Sequence, residues 1–195
     1  MLELAVLGLL KERSMHGYQL SRELSESLGG FWRVSYGSLY PTLRRLEKEE
    51  AVERVFDDQD VGRRKNVYRI TEKGEKLFFE LLEEVSHDTG PEDNRFRVRL
   101  AFFRYLPPET RIRLLERRRA ALEDRLSTIR DSLRSSRERV DTYTLALIQH
   151  GRDATESDIA WLDGLIAAER SKATTSTRGG TRRRRATLRG KERTS

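Results

Sequence analysis

SYGSLYPTLRRLEKEE, residues 35–50, has the periodicity of a buried helix and, at its front end, the composition of a loop. Leu39, Leu43 and Leu46 recur at the spacing of one helical stripe, and RRLEKEE is good helix-forming material. The first two turns nonetheless hold two serines, two tyrosines, a glycine and a proline. On a helix the leucines take one face and Gly37, Pro41, Arg44 and Lys48 the opposite one, with Arg45 close by and Tyr36 and Tyr40 on the flank. Pro41 forgoes one helical bond, to the Gly37 carbonyl, near an end where the loss costs less than mid-helix. Ser35 or Ser38 is placed to cap the N-terminus, an end that favours a phosphate. Poor helix formers are tolerable there if the outer face must fit against something outside the molecule. The plainer alternative is a loop followed by a helix from Thr42, its arginines solvated.

The surroundings favour the first reading. Residues 2–12 offer Leu4, Leu7 and Leu10 for a first helix, His16-Gly17 breaks it, and YQLSRELSESL (18–28) makes a second, amphipathic one ended by Gly29-Gly30. After the third helix, AVERVF (51–56) and NVYRI (66–70) are short β-rich runs joined by the charged loop DDQDVGRRK, which reads as a hairpin. Thr71 caps a fourth helix through GEKLFFELLEEV. Three small helices and a hairpin describe a winged helix-turn-helix, in which the third helix enters the DNA major groove and the hairpin wing lies along the backbone. A glycine and a proline on the groove face add little bulk, permitting close approach to base edges. Arg63, Arg64 and Lys65 fall at the wing tip, although a three-residue charge run in a loop is usually just solvated.

Composition narrows the function. The 195 residues hold 36% hydrophobic and 36% charged side chains, a polar balance for one mixed domain or two small ones. Without cysteines there are no disulfides, thiolate zinc sites or cysteine nucleophiles, which fits a reducing cytoplasm. The apolar start MLELAVLGLLKER carries Glu3 and no basic region, so it reads as an amphipathic helix, not a signal peptide, and no stretch is long enough to span a membrane. His16, His87 and His150 are scattered and no phosphate-cradling glycine loop occurs, so no enzyme, metal or cofactor is expected. The net charge of +7 is uneven: residues 171–195 hold nine basic residues against Glu192 alone, a net +8, leaving −1 for the preceding 170. That Arg-rich tail, poor in apolar residues, is expected to be disordered.

The chain resembles the PadR family of transcriptional regulators. The matching stretches are LELAVLGLL (2–10), MHGYQLSREL (15–24), SYGSLYPTLRRLEKE (35–49) and GRRKNVYRITEKG (62–74), and the S-x-G-x-L-Y-P-x-L-x-R-L-E pattern is met without a gap. The resemblance implies a homodimer, usually a repressor, on an inverted-repeat operator. Carried over, Ser35, Tyr36, Gly37, Ser38, Tyr40, Pro41, Arg44, Arg45 and Lys48 form the recognition surface, and Arg63, Arg64 and Lys65 contact phosphate. His16 and Tyr18 admit either packing or a backbone contact, and packing is the expectation for Tyr18. Many members respond to small aromatic effectors near the dimer interface. Trp161 is the first residue to nominate for stacking and Trp32 the second, but packing filler is the commoner role of such a tryptophan.

The second half supplies the oligomer. Phe96, Leu100 and Phe103 line one side of a short helix over 91–106. From Pro107-Pro108 a long helix follows, with Ile112, Leu115, Leu122, Leu126, Ile129, Leu133, Val140, Tyr143 and Leu147 at alternating steps of three and four, Arg119 and Ser136 filling the imperfect positions. Such a seam needs another helix or another chain to cover it. Gly151 is expected to end this helix, and Thr155 to start a last one with Ile159, Leu162 and Ile166 on its apolar side. The expected organisation is mainly α: a winged helix-turn-helix domain at 1–88, a coiled-coil-like helical dimerisation domain at 89–170, and the tail at 171–195. The rival readings are a coiled-coil interaction protein and a sequence-blind DNA binder that uses the basic tail.

Overall fold

The computed structural model describes residues 1–27, 35–56, 66–84, 93–136 and 141–189, of which 173–189 as backbone only. Two compact units result, Met1–Tyr105 and Leu106–Ser195.

In the first unit, helix α1 (Leu2–Glu12) is the hub. Every residue from Leu4 to Leu10 is buried, because α2 (Gly17–Ser27), α3 (Tyr36–Lys48), α4 (Glu72–Glu83) and α5 (Asp93–Ala101) all pack on it. A helix apolar on all sides is stable only when covered on all sides. Gly8 is where α5's neighbour comes in: a Cβ there would lie 2.4 Å from the Phe102 ring. Phe102 in turn meets Phe78 of α4 edge-on, as does Tyr105. On α5 and its continuation the buried residues are Val98, Phe102 and Phe103, not the Phe96–Leu100–Phe103 stripe expected from spacing. The helix ends at Ala101 and a 3-10 turn (Phe103–Tyr105) changes the phase. This segment, assigned by sequence to the second half, therefore builds the core of the first unit.

Strands β2 (Val52–Phe56) and β3 (Asn66–Ile70) form the antiparallel hairpin, running in register from Val52 opposite Ile70 to Phe56 opposite Asn66. A third strand, β1 (Met15–His16), pairs antiparallel with β3, giving the order β1-β3-β2. Two residues are too few to show a period of two, so in the amino-acid sequence this stretch is visible only as a helix break. The hairpin leaves α3 through Glu50 at φ 60, a left-handed residue. The Glu50 amide donates to the Glu47 carbonyl and the Ala51 amide to the Leu46 carbonyl, a six-residue C-terminal cap that usually recruits glycine. Thr71 caps α4 by accepting from the Gly74 amide. A Cβ at Gly74 would stand 2.0 Å from the Ala51 carbonyl oxygen, so α4 can start only this close to the α3–β2 corner with glycine there. These helices and the sheet are a winged helix-turn-helix.

The second unit is a pair of antiparallel helices, α6 (Pro108–Ser136) and α7 (Thr142–Arg189). It departs from expectation in three places. The long helix does not run to residue 147: α7 begins anew, capped by Asp141, whose carboxylate accepts from the Tyr143 and Thr144 amides and the Thr144 hydroxyl. These bonds hold the Asp141 carboxyl below its ordinary value, the Thr144 hydroxyl contributing most. Gly151 does not end a helix but lies inside α7, and Thr155 is not a cap but a buried residue whose hydroxyl donates to the Gly151 carbonyl. The backbone stays helical through Arg189, past the point where disorder was expected.

Candidate nucleic-acid interface

The odd third helix is oriented as its leucines require. Leu39, Leu43 and Leu46 are fully buried, each withdrawal from water stabilising the unit by roughly 1.5–3 kcal/mol. Ser35, Tyr36, Gly37, Ser38, Tyr40, Pro41, Arg44, Arg45 and Lys48 are all exposed. Ser35 is the N-cap, its Oγ accepting from the Ser38 amide at 3.3 Å. The Ser38 hydroxyl donates back to the Ser35 carbonyl, and the Thr42 hydroxyl donates to the Ser38 carbonyl. The front of the helix, Pro41 included, is thus helical and not a loop.

Gly37 separates function from packing. Among the described residues a Cβ there would meet the Ser35 Oγ alone, at an ordinary 3.7 Å. Unlike Gly8 and Gly74, it is not demanded by the fold. Tyr36 and Tyr40 stack along the helix edge, ring centroids 6.3 Å apart and planes 21° from parallel. The Tyr40 ring also lies against Gly17 at the start of α2, closing the helix-turn-helix corner.

The three cations of α3 differ. Arg45 is ion-paired with Glu3 of α1. Arg44 and Lys48 have no ion-pair partner among the described residues, leaving their charge for an outside group. Glu47, between them, is taken by Arg54 of β2. Nearby, burial pushes the Tyr68 phenol above its ordinary value, Arg54 opposing it and Glu47 adding to it.

Tyr18 is 65% exposed, against the expectation that it packs. α2 starts at Gly17 and turns Leu20, Ser21 and Leu24 inward, which carries position 18 outward. His16 is half-buried; its amide donates to the Gln19 side chain, and its Nδ1 lies 3.4 Å from the Asn66 carbonyl oxygen. The wing residues Arg63, Arg64 and Lys65 lie outside the described residues, as does Trp32.

The expected seam divides. Leu115, Leu122 and Leu126 are buried within this chain, against Thr155, Leu162 and Ile166 of α7, with Ile129 and Leu133 half-buried. Ion pairs Arg111–Glu169, Arg119–Asp163 and Arg130–Glu156 fix the antiparallel register. The covering partner of α6 is therefore α7. A helical hairpin and a two-chain coiled coil share the same apolar repeat, so spacing alone does not tell them apart. Val140 lies outside the described residues. Tyr143 and Leu147 are 88% and 69% exposed, and Trp161 is 47% exposed on the same helix, so it is no core filler.

Among the described residues no group of three His, Cys, Asp or Glu is arranged to hold a metal, and no helix is long and apolar enough to cross a membrane. The model of the transcriptional regulator PadR-like family matches residues 6–80, and that of the virulence activator alpha C-terminal region matches residues 94–169. The negative transcriptional regulator PadR of Bacillus subtilis is 25% identical over 177 residues, covering 85% of this chain and 96% of that protein. A transcriptional regulator of Mycobacterium tuberculosis is 37% identical over 101 residues, covering 45% of this chain and 88% of that protein. The crystal structure of Bacillus subtilis PadR in complex with operator DNA aligns with a TM-score of 0.43 at 20% identity, over 86% of this chain and 97% of that one.

Proposed function

The chain belongs to the PadR-like family of transcriptional regulators, and we propose that it works as a homodimeric repressor on an inverted-repeat operator. The observation that carries this reading is the division of α3: three leucines wholly inside, and Gly37, Pro41 and Arg44 exposed. A helix that spends glycine and proline on its solvent face gains nothing in stability from them. A major groove about 12 Å wide rewards the slimness, and Arg44 is suited to the O6 and N7 acceptors of guanine. Arg63, Arg64 and Lys65 then serve the backbone from the wing. Repression is supported by the Bacillus subtilis relative, a negative regulator by name.

The dimer partner is a second copy of this chain. With the α6 leucines covered by α7, the surface left for it is the outer side of α7, where Tyr143, Leu147 and Trp161 stand exposed. The three positions share one face of α7, and an exposed apolar strip on one face marks an interaction surface, which a twofold contact buries twice. Trp161 belongs to this contact in preference to a site for a small aromatic effector.

The test is recovery of bound fragments from genomic DNA by the full-length protein. Inverted half-sites about one helical turn apart are expected. A Gly37→Val protein, checked for unchanged helicity, should lose them, since a Cβ at this position makes only an ordinary contact among the described residues. Recovery of the same sites by that variant, or of fragments with no shared repeat, overturns the reading.

A further inference from the structure

The basic segment after residue 170 is not used by the regulator reading. It lies beyond both family matches, which end at residues 80 and 169. It carries nine basic residues and one acidic, in a chain whose first 170 residues are close to neutral. The ion pairs Arg111–Glu169 and Glu116–Arg170 set α7 against the start of α6. Since α6 begins at Pro108, this register runs out of α6 within about two turns beyond Lys172. The arginines from Arg178 onward therefore sit on a stretch of α7 that its partner helix does not accompany.

On that backbone Arg178, Arg182, Arg185 and Arg189 recur at steps of four, three and four, which places them on one helix face over roughly 16 Å. Seven of the nine basic residues are arginine, whose planar fork matches phosphate oxygens in pairs. The apolar residues of the segment are Ala173, Ala186 and Leu188, too few for the apolar face by which basic helices enter a lipid interface. Nothing in such a stripe distinguishes one base from another.

We infer that residues 171–189 are a sequence-independent contact to the phosphate backbone of duplex DNA, separate from the base-reading surface of α3. The segment raises the hold on any duplex and tethers the chain near the sites that α3 reads, multiplying affinity by local concentration and not by new base contacts.

The experiment uses the full chain and a variant carrying R178Q, R182Q, R185Q and R189Q, with fluorescence anisotropy on a random-sequence duplex over a potassium chloride series. Each phosphate contact contributes about 0.9 to the slope of log affinity against log salt, so the variant's slope should be shallower by up to about 3 to 4 per chain. Replacement of the same four by lysine should restore the slope and shows that lost charge, not lost folding, is responsible. An unchanged slope in the glutamine variant overturns the inference. So does an unchanged duplex slope accompanied by lost binding to phosphatidylcholine–phosphatidylglycerol vesicles, which would assign the segment to a membrane surface. The regulator proposal is read out separately by preference for recovered genomic fragments over random duplex at fixed salt: the glutamine variant should keep that preference, and its absence from both proteins would overturn the regulator proposal while leaving the slope difference in place.

Discussion

Arg45 on α3 is ion-paired with Glu3 on α1. The pair spans the recognition helix and the hub of the domain, and its side chains remain 55% and 25% exposed. Exposed pairs of this kind contribute about 1 kcal/mol or less, so its main effect is on the angle at which α3 is presented. Arg44, one residue earlier, is exposed and has no ion-pair partner among the described residues. Arg44→Ala should therefore cost about 1–3 kcal/mol in discrimination between operator and altered operator. Arg45→Ala should weaken binding by less and lower the melting temperature slightly. Gel-shift titrations on matched and mutated half-sites, with thermal melts, separate the two; an equal loss of discrimination would make Arg45 a reader as well.

The corner between α3 and β2 holds Glu50 at φ 60, where a side chain is strained and glycine is not. Its carboxylate pairs with Lys73, but both are well exposed and the pair is worth little. Glu50→Gly should stabilise the domain by about 0.5–1 kcal/mol. Gly74→Ala should destabilise it by at least about 1–3 kcal/mol, because its Cβ would overlap the Ala51 carbonyl. Thermal unfolding followed by circular dichroism reads both signs.

Glu169 locks the base of the α6–α7 hairpin. Burial works to raise its carboxyl, but hydrogen bonds and charge from Lys172 and Arg111 outweigh it, and the net displacement is below the ordinary 4.5. A carboxyl lowered in the folded state stabilises fully above its unfolded value and loses that contribution as pH falls through its folded one. The hairpin should therefore weaken from about pH 4.5 downward. Glu169→Gln should cost about 1 kcal/mol at neutral pH and flatten the acid limb of the stability curve. Denaturant melts between neutral pH and acid show whether the wild type and variant converge.

Tyr143 and Leu147 on α7 touch little of their own chain. Replacing both by glutamate should leave helicity unchanged and shift the protein from dimer to monomer in sedimentation velocity. Operator affinity should fall at least tenfold, since two half-sites are no longer engaged together. A dimer that persisted would move the contact to another face.

Much of the first unit was legible because its signals are local. The cap residues Ser35 and Thr71, the leucine stripe of α3 and the two β-rich runs depend on neighbours a few residues away, and short-range sterics and periodicity encode them directly. From these alone the winged helix and the outward face of Gly37, Pro41 and Arg44 follow. The pairing of Met15–His16 with β3 was not legible, since a two-residue strand owes its existence to a partner fifty residues on. Nor was the Gly8–Phe102 contact, which recruits residues beyond 88 into the first core.

The helical half divides along the same line. The sequence by itself determined that residues 112–147 carry an apolar seam repeating every three and four residues, and that the seam must be covered. Only the tertiary structure decided by what: Asp141 restarts the helix, the chain doubles back, and Leu162 and Ile166 cover Leu115 and Leu122. The physical reason is that apolar burial is non-directional. A seam specifies that water must be excluded from it, while which helix excludes the water depends on where the backbone reverses, and here the covering helix is α7, whose start Asp141 caps.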